Sequence, residues 1–207
     1  MIRIPFVILV LLSLVLGACK SDESTVARIE QPTHTPTIIP LSVGNKWLRS
    51  FSLYDTSGVA FFSGVDSIEV LRDTLARGSK WFILKMQGIE YVVANRPSGM
   101  WVVGDGNEVL WYKFPASPRD SFPVSSNTSY TRIPTIDTSI VVPAGRFSCY
   151  KYEVEGYPWV GAIGGSLDVK FISPDNGFVK NEFYSSTFTS TTKYLYSRIE
   201  LAKLTLK

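Results

Sequence analysis

Phe147-Ser148-Cys149-Tyr150-Lys151-Tyr152-Glu153-Val154-Glu155 sets Tyr150, Tyr152 and Val154 on one side of an extended chain and Lys151, Glu153 and Glu155 on the other. A period of two with one wet side predicts an antiparallel strand. The same period spreads outward from this stretch. Lys80 to Met86 and Ile89 to Ala94 are apolar on both sides, Trp81 and Ile83 opposing Phe82, Leu84 and Met86, which predicts central strands covered on both faces. Turn chemistry separates the runs: Asp55-Thr56-Ser57-Gly58, Gln87-Gly88, Asp105-Gly106, Pro143-Ala144-Gly145 and Pro174-Asp175-Asn176-Gly177 each offer Gly or Asn where a positive φ is needed. This spacing predicts a mainly β fold of roughly ten strands with meander topology, a single curved antiparallel sheet or open half-barrel. Tyr194 to Leu206 is long enough to close it, with Leu195, Ile199 and Leu201 sharing one face.

Two segments read less simply. Asp66-Ser67-Ile68-Glu69 has the form of a capping box, and Ile68, Leu71 and Leu75 recur at helical spacing before Gly78. Ile68 and Val70 also alternate with Asp66, Glu69 and Arg72, so residues 66–77 are assigned to a strand that turns at Arg77-Gly78-Ser79-Lys80 into Trp81, with a helix as the alternative. Pro115 to Pro134, rich in Pro, Ser and Thr, reads as a long loop or irregular edge. Its Asn127-Thr128-Ser129 triplet matches a glycosylation sequon and reads as a chance loop sequence.

The first 18 residues carry a single charge, Arg3, and an apolar run from Phe6 to Leu16 that is too short to span a hydrocarbon core of about 30 Å. Leu16-Gly17-Ala18-Cys19 follows. It resembles the lipobox of bacterial lipoproteins, which implies removal of residues 1–18, a diacylglycerol on the Cys19 sulfur and an acyl chain such as palmitate on its amine. The implied address is the cell envelope, at the outer membrane, on its periplasmic face or the cell surface. Residues 19–40 read as a lipid-anchored tether: Lys20-Ser21-Asp22-Glu23-Ser24 is polar, and Pro32, Pro36 and Pro40 interleave with threonines. That polar run also resembles the acidic surface-export signal of some Bacteroidetes lipoproteins. The β domain is placed at 41–207.

Composition excludes more than it selects. Without Arg3 the chain has 20 basic residues against 18 acidic ones, a balance that steers toward neither nucleic acid nor an acidic partner. Of the two cysteines, Cys19 is assigned to lipid. Cys149 is then left without a disulfide partner and reads as a small buried hydrophobe. The one histidine, His34, lies in the tether, so the domain has no imidazole for a Ser or Cys nucleophile and no His-based zinc ligand set. No cofactor or metal is expected. Carboxylate pairs for glycoside hydrolysis can be nominated, Asp66 with Glu69, Asp105 with Glu108 and Glu153 with Glu155, although turns and a wet strand face account for them. The loop containing Gly161, Gly164 and Gly165 lacks the helix and Lys-Ser or Lys-Thr pair of a phosphate cradle.

Aromatic residues remain: Trp47, Trp81, Trp101, Trp111 and Trp159, with many Tyr and Phe. Core packing is one account of them. The other is a concave apolar face, for which Trp81, Tyr91, Trp101 and Trp111 are the candidate ligand-binding residues. Three phrases carry a further resemblance: Pro40-Leu41-Ser42-Val43-Gly44-Asn45-Lys46-Trp47, then Val142-Pro143-Ala144-Gly145-Arg146-Phe147-Ser148-Cys149-Tyr150, then Gly177-Phe178-Val179-Lys180. Together they are similar to a group of uncharacterised bacterial lipoproteins that resembles the LolA/LolB-type lipoprotein carriers. The resemblance implies a strongly curved half-barrel whose concave side accepts lipid. Related sequences place Pro-Gly-x-Gly where this chain has Pro174-Asp175-Asn176-Gly177, which implies a different hairpin there. The resulting expectation is a lipid-anchored envelope protein whose non-enzymatic β domain binds a hydrophobic ligand, such as an acyl chain, or an envelope protein. The alternatives are a carboxylate-dependent hydrolase and a purely structural surface lipoprotein.

Overall fold

A computed structural model describes residues 35–76, 78–104, 106–123, 130–156, 165–187 and 192–207. Cys19, His34, Asp105, the sequon at 127–129, Trp159, Gly161 and Gly164 lie outside the described residues.

The chain forms twelve strands and no helix among the described residues: β1 (Lys46–Tyr54), β2 (Ala60–Ala76), β3 (Ser79–Met86), β4 (Ile89–Arg96), β5 (Gly99–Gly104), β6 (Asn107–Lys113), β7 (Ser121–Pro123), β8 (Tyr130–Val142), β9 (Gly145–Glu155), β10 (Leu167–Ser173), β11 (Gly177–Ser186) and β12 (Lys193–Thr205). All belong to one antiparallel sheet in the order β6-β5-β4-β3-β2-β1-β12-β11-β10-β9-β8-β7. The expected single meander is therefore present, with two more strands than the turns suggested. Of the segment 66–77, residues 66–76 fall within strand β2, not a helix, and residue 77 lies outside the described residues. Its alternation prevails because β1 pairs with it up to Glu69 and β3 from Ile68 to Ala76, satisfying backbone groups that a helix would satisfy internally.

The sheet curls until its two edges, β6 and β7, lie at a seam. The meander breaks between these consecutive strands, within the Pro-rich stretch read as an irregular edge. Across the interior the halves touch: Tyr112 of β6 packs edge-on against Tyr152 of β9 at 5.3 Å and Phe178 of β11 at 6.0 Å between ring centroids. The Tyr152 hydroxyl donates to the Lys113 carbonyl at 2.9 Å. The curved antiparallel sheet thus forms a nearly closed barrel whose halves meet across the interior at these rings.

The end of the barrel where the chain enters is closed. Ile38 and Ile39 are fully buried in the main core, so the compact unit begins at Thr35 and takes in residues that composition alone assigned to a tether. Two isoleucines among prolines and threonines give no period, yet they are apolar enough to cap a core. Thr37 donates through its amide to Asp175 Oδ1 at 2.9 Å and accepts from the Asp175 amide at 2.7 Å. Asp175 adopts φ 60°, the conformation that the related Pro-Gly-x-Gly phrase leaves to glycine; here the carboxylate gains a partner instead. Asn45 donates to the Pro40 carbonyl at 2.9 Å and accepts from the Lys207 amide at 2.8 Å, and Ala144 donates to the Leu201 carbonyl at 3.0 Å. The three sequence phrases therefore converge at this end, where they fasten residues 37–45 to the β10–β11 turn and to Lys207.

Candidate functional site

Hairpin register decides where the four candidate aromatics point. The two-residue turn Gln87-Gly88, both at positive φ, pairs Phe82 with Val93 and Leu84 with Tyr91. Ala94 in turn pairs with Trp101. Trp81 and Trp101 therefore share one face of the sheet, and Tyr91 lies on the other with Leu84 and Val93.

Tyr91 and Trp111 are together, with ring centroids 5.3 Å apart, and both pack against the main core. Trp111 reaches it because the register shifts between Met100 and Trp101, which pair with Tyr112 and Leu110 and leave Trp111 in a bulge. Trp81 is fully buried outside the main core, its Nε1 donating to the Ala76 carbonyl at 3.0 Å. The Arg96 guanidinium lies over it at 4.9 Å and over Trp101 at 5.4 Å, and pairs with Glu108 at 2.6 Å. The structure thus divides the four residues into two pairs on opposite faces of the sheet rather than gathering them into one site.

Of the nominated carboxylates, Asp66, Glu69, Glu108 and Glu153 are each held by a cation. Asp66 receives Arg49 through two bonds, Nε to Oδ1 at 2.8 Å and Nη2 to Oδ2 at 2.6 Å, with both side chains nearly buried. Glu69 pairs with Lys46, Glu108 with Arg96 and Glu153 with Lys151. Asp168, buried on β10, is bound by Lys170 and by Asn181 at 2.5 Å. Pairs of this kind, Arg49 with Asp66 and Lys46 with Glu69, join β1 to β2, whereas the nominated Glu153 and Glu155 line one surface cavity with Tyr130 and Arg132. Among the described residues no group of His, Cys, Asp and Glu could hold a metal ion.

The outer wall of β9 to β12 is a lattice of charge. Lys151 meets Glu153 at 2.6 Å, Lys180 meets Glu182 at 2.9 Å and Glu200 at 3.6 Å, and Arg198 meets Glu182 at 3.3 Å. Burial works to raise Glu182, but Lys180, Tyr184 and Arg198 outweigh it and hold its carboxyl below the usual range. A barrel crossing a bilayer needs an apolar band where these charges stand.

One surface cavity, about 150 Å³, is lined by Tyr130, Arg132, Glu153 and Glu155. Its polar walls and small size suit ordered water better than an acyl chain, since ligand pockets run to roughly 300 Å³ and above and are mostly apolar.

Cys149 is fully buried, and burial pushes its thiol up to about 12. In the native protein it is expected to resist iodoacetamide at pH 8 and to react fully once guanidinium unfolds the chain. Rapid alkylation of native protein would contradict that placement. Because the folded value lies above the ordinary thiol value of 9.0, this contribution to stability is complete below about pH 9 and declines above it.

The apolar surface that was not anticipated lies at the barrel end opposite the one where Lys46 pairs with Thr205. Val59, Phe61, Phe62 and Val65 are 60%, 60%, 54% and 66% exposed on the β1–β2 hairpin. Phe62 lies beside Phe51, ring centroids 5.7 Å apart, and Phe51 in turn covers Gly64, where a Cβ would approach it to 2.7 Å. The signal in the sequence was the ten-residue run Thr56 to Val65, uncharged between Asp55 and Asp66.

No protein-family model and no curated protein sequence matches the chain. Two solved structures are similar to it. A Bacteroides fragilis protein described as exported, with a YmcC-like fold, shares 14% identity at a TM-score of 0.47; the likeness covers 83% of this chain and all of that one. A Parabacteroides distasonis protein described as a lipoprotein shares 15% identity at a TM-score of 0.46, with the same coverage of both chains.

Proposed function

We propose that the protein is a lipid-anchored envelope lipoprotein, held at the outer membrane through Cys19, whose β domain is a non-enzymatic binding module that engages a macromolecular partner on its surface. The anchoring rests on Leu16-Gly17-Ala18-Cys19 behind an apolar run. The observation that carries the binding mode is the ring cluster inside the barrel, where Tyr112, Tyr152 and Phe178 meet across the interior. Binding an acyl chain there would require parting those rings, whereas a surface partner requires no opening. The ion-paired carboxylates weigh against the hydrolase reading.

Two measurements test this. Cys19→Ser is expected to abolish acyl mass on the protein and release it from membranes; unchanged mass and retention would defeat the anchor assignment, and retention with the signal still attached would point to a hydrophobic anchor instead. For the domain, a panel of fatty acids should leave tryptophan emission unmoved, because Trp81 is capped by Arg96 and Trp111 by Tyr91 and Tyr112. A saturable shift would restore the carrier reading.

A further inference from the structure

We propose that the Ala60–Val65 part of β2 is a self-association edge, through which two copies of this chain pair antiparallel about a two-fold axis. Strand β2 has β1 on one side from Ala60 to Glu69, but β3 joins its other side only from Ile68, opposite Met86. Before Ile68, no strand among the described residues pairs with that second side. An open edge is a template for another strand, and proteins normally blunt it with charge, proline or a cover. This chain does so at its seam. Strand β6 carries Glu108 and Lys113, and β8 carries Arg132, Pro134 and Asp137, with β7 laid along its first residues. On β2 the stretch from Thr56 to Val65 has neither charge nor proline, and its large side chains are exposed on both faces: Phe62 shares a face with Phe51, and Val65 pairs with Ser50 on the other.

Those properties define the partner. It must offer an open edge, bring no charge and be apolar on both faces, so that burying Phe61, Phe62 and Val65 strands no ion. The same segment of a second copy meets each condition, and antiparallel pairing of identical segments is the isologous contact that two-fold symmetry requires. The edge is short, six residues from Ala60 to Val65, so the pairing is reversible and favoured where copies are concentrated, as on a membrane. Thr37 and Lys207 are held at the other end of the barrel.

The test uses the full-length protein in its own membrane. Phe61→Cys, Phe62→Cys, Ser63→Cys and Val65→Cys are introduced one at a time, with Ser79→Cys at the opposite end as control, and cells are treated with a mild oxidant. A disulfide-linked dimer is expected from the position nearest the two-fold axis, at least tenfold above the Ser79→Cys level, and adding a charge at an adjacent position, Phe61→Lys or Val65→Lys, should abolish it. These residues are exposed, and protection of Cys149 from alkylation reports that each variant has folded. No dimer at any of the four positions, or equal dimer at Ser79→Cys, overturns the proposal. A cross-link to a different protein also overturns it, and assigns the edge to a heterologous partner while leaving the surface-binding reading intact.

Discussion

Trp47→Ala is expected to destabilise the domain by about 4 kcal/mol, the range for removing a fully buried large aromatic side chain. Trp47 is completely buried where the three sequence phrases meet: its Nε1 donates to the Asn176 carbonyl at 2.5 Å, and its ring stands edge-on to Phe178 at 6.0 Å. The cavity cannot collapse easily, because the ring is wedged between strands far apart in sequence. Gly177 reports the same contact from the other side. It sits at φ 83°, and a Cβ there would come within 2.9 Å of the indole. Gly177→Ala should therefore be destabilising alone, and less so in the Trp47→Ala background, where only the backbone strain remains. Urea denaturation monitored by circular dichroism measures both, and a loss under 1 kcal/mol for Trp47→Ala would show that the closed end does not depend on this residue.

Asp66→Ala should cost about 3 kcal/mol, for an electrostatic reason. Arg49 and Asp66 face each other across β1 and β2 with little exposure, so deleting the carboxylate leaves a guanidinium buried without its partner. The double variant Arg49→Leu with Asp66→Leu is expected to recover most of that loss, because a buried ion pair is worth little more than apolar packing of similar volume. A double variant as unstable as the single one would mean that the pair itself, rather than the orphaned charge, carries the stability.

Much of this fold can be read in the chain because its strands are joined by short hairpins, and a hairpin leaves a local trace. Gln87-Gly88 announces a two-residue turn, and Tyr150, Tyr152 and Val154 alternate cleanly with charges. In principle the same turn also placed Trp81 across from Ala94 rather than Tyr91, so the division of the aromatics between two faces was partly legible. The position of Trp111 was not, since it depends on a bulge that no residue type marks. Ile38 and Ile39 were hidden by their neighbours: Pro36 and Pro40 read as tether, and only the tertiary contact of Thr37 with Asp175 shows that the core begins there. The degree of closure was hidden as well, because a half-barrel and a nearly closed barrel present the same alternation, and the difference lies in whether Tyr112 meets Tyr152 across the interior.

The strand order also dictates how the chain must acquire its structure. Strands β1 to β6 and β7 to β12 are each runs of neighbouring hairpins, able to zip from one turn to the next. One pairing joins them, β1 with β12, where Trp47 stands opposite Leu204. Closing a loop of about 150 residues costs roughly 4 kcal/mol of chain entropy, which no local hairpin has to overcome. The search for that single encounter sets the pace of folding, and until it succeeds each half exposes an unpaired terminal strand to every other copy in the vicinity.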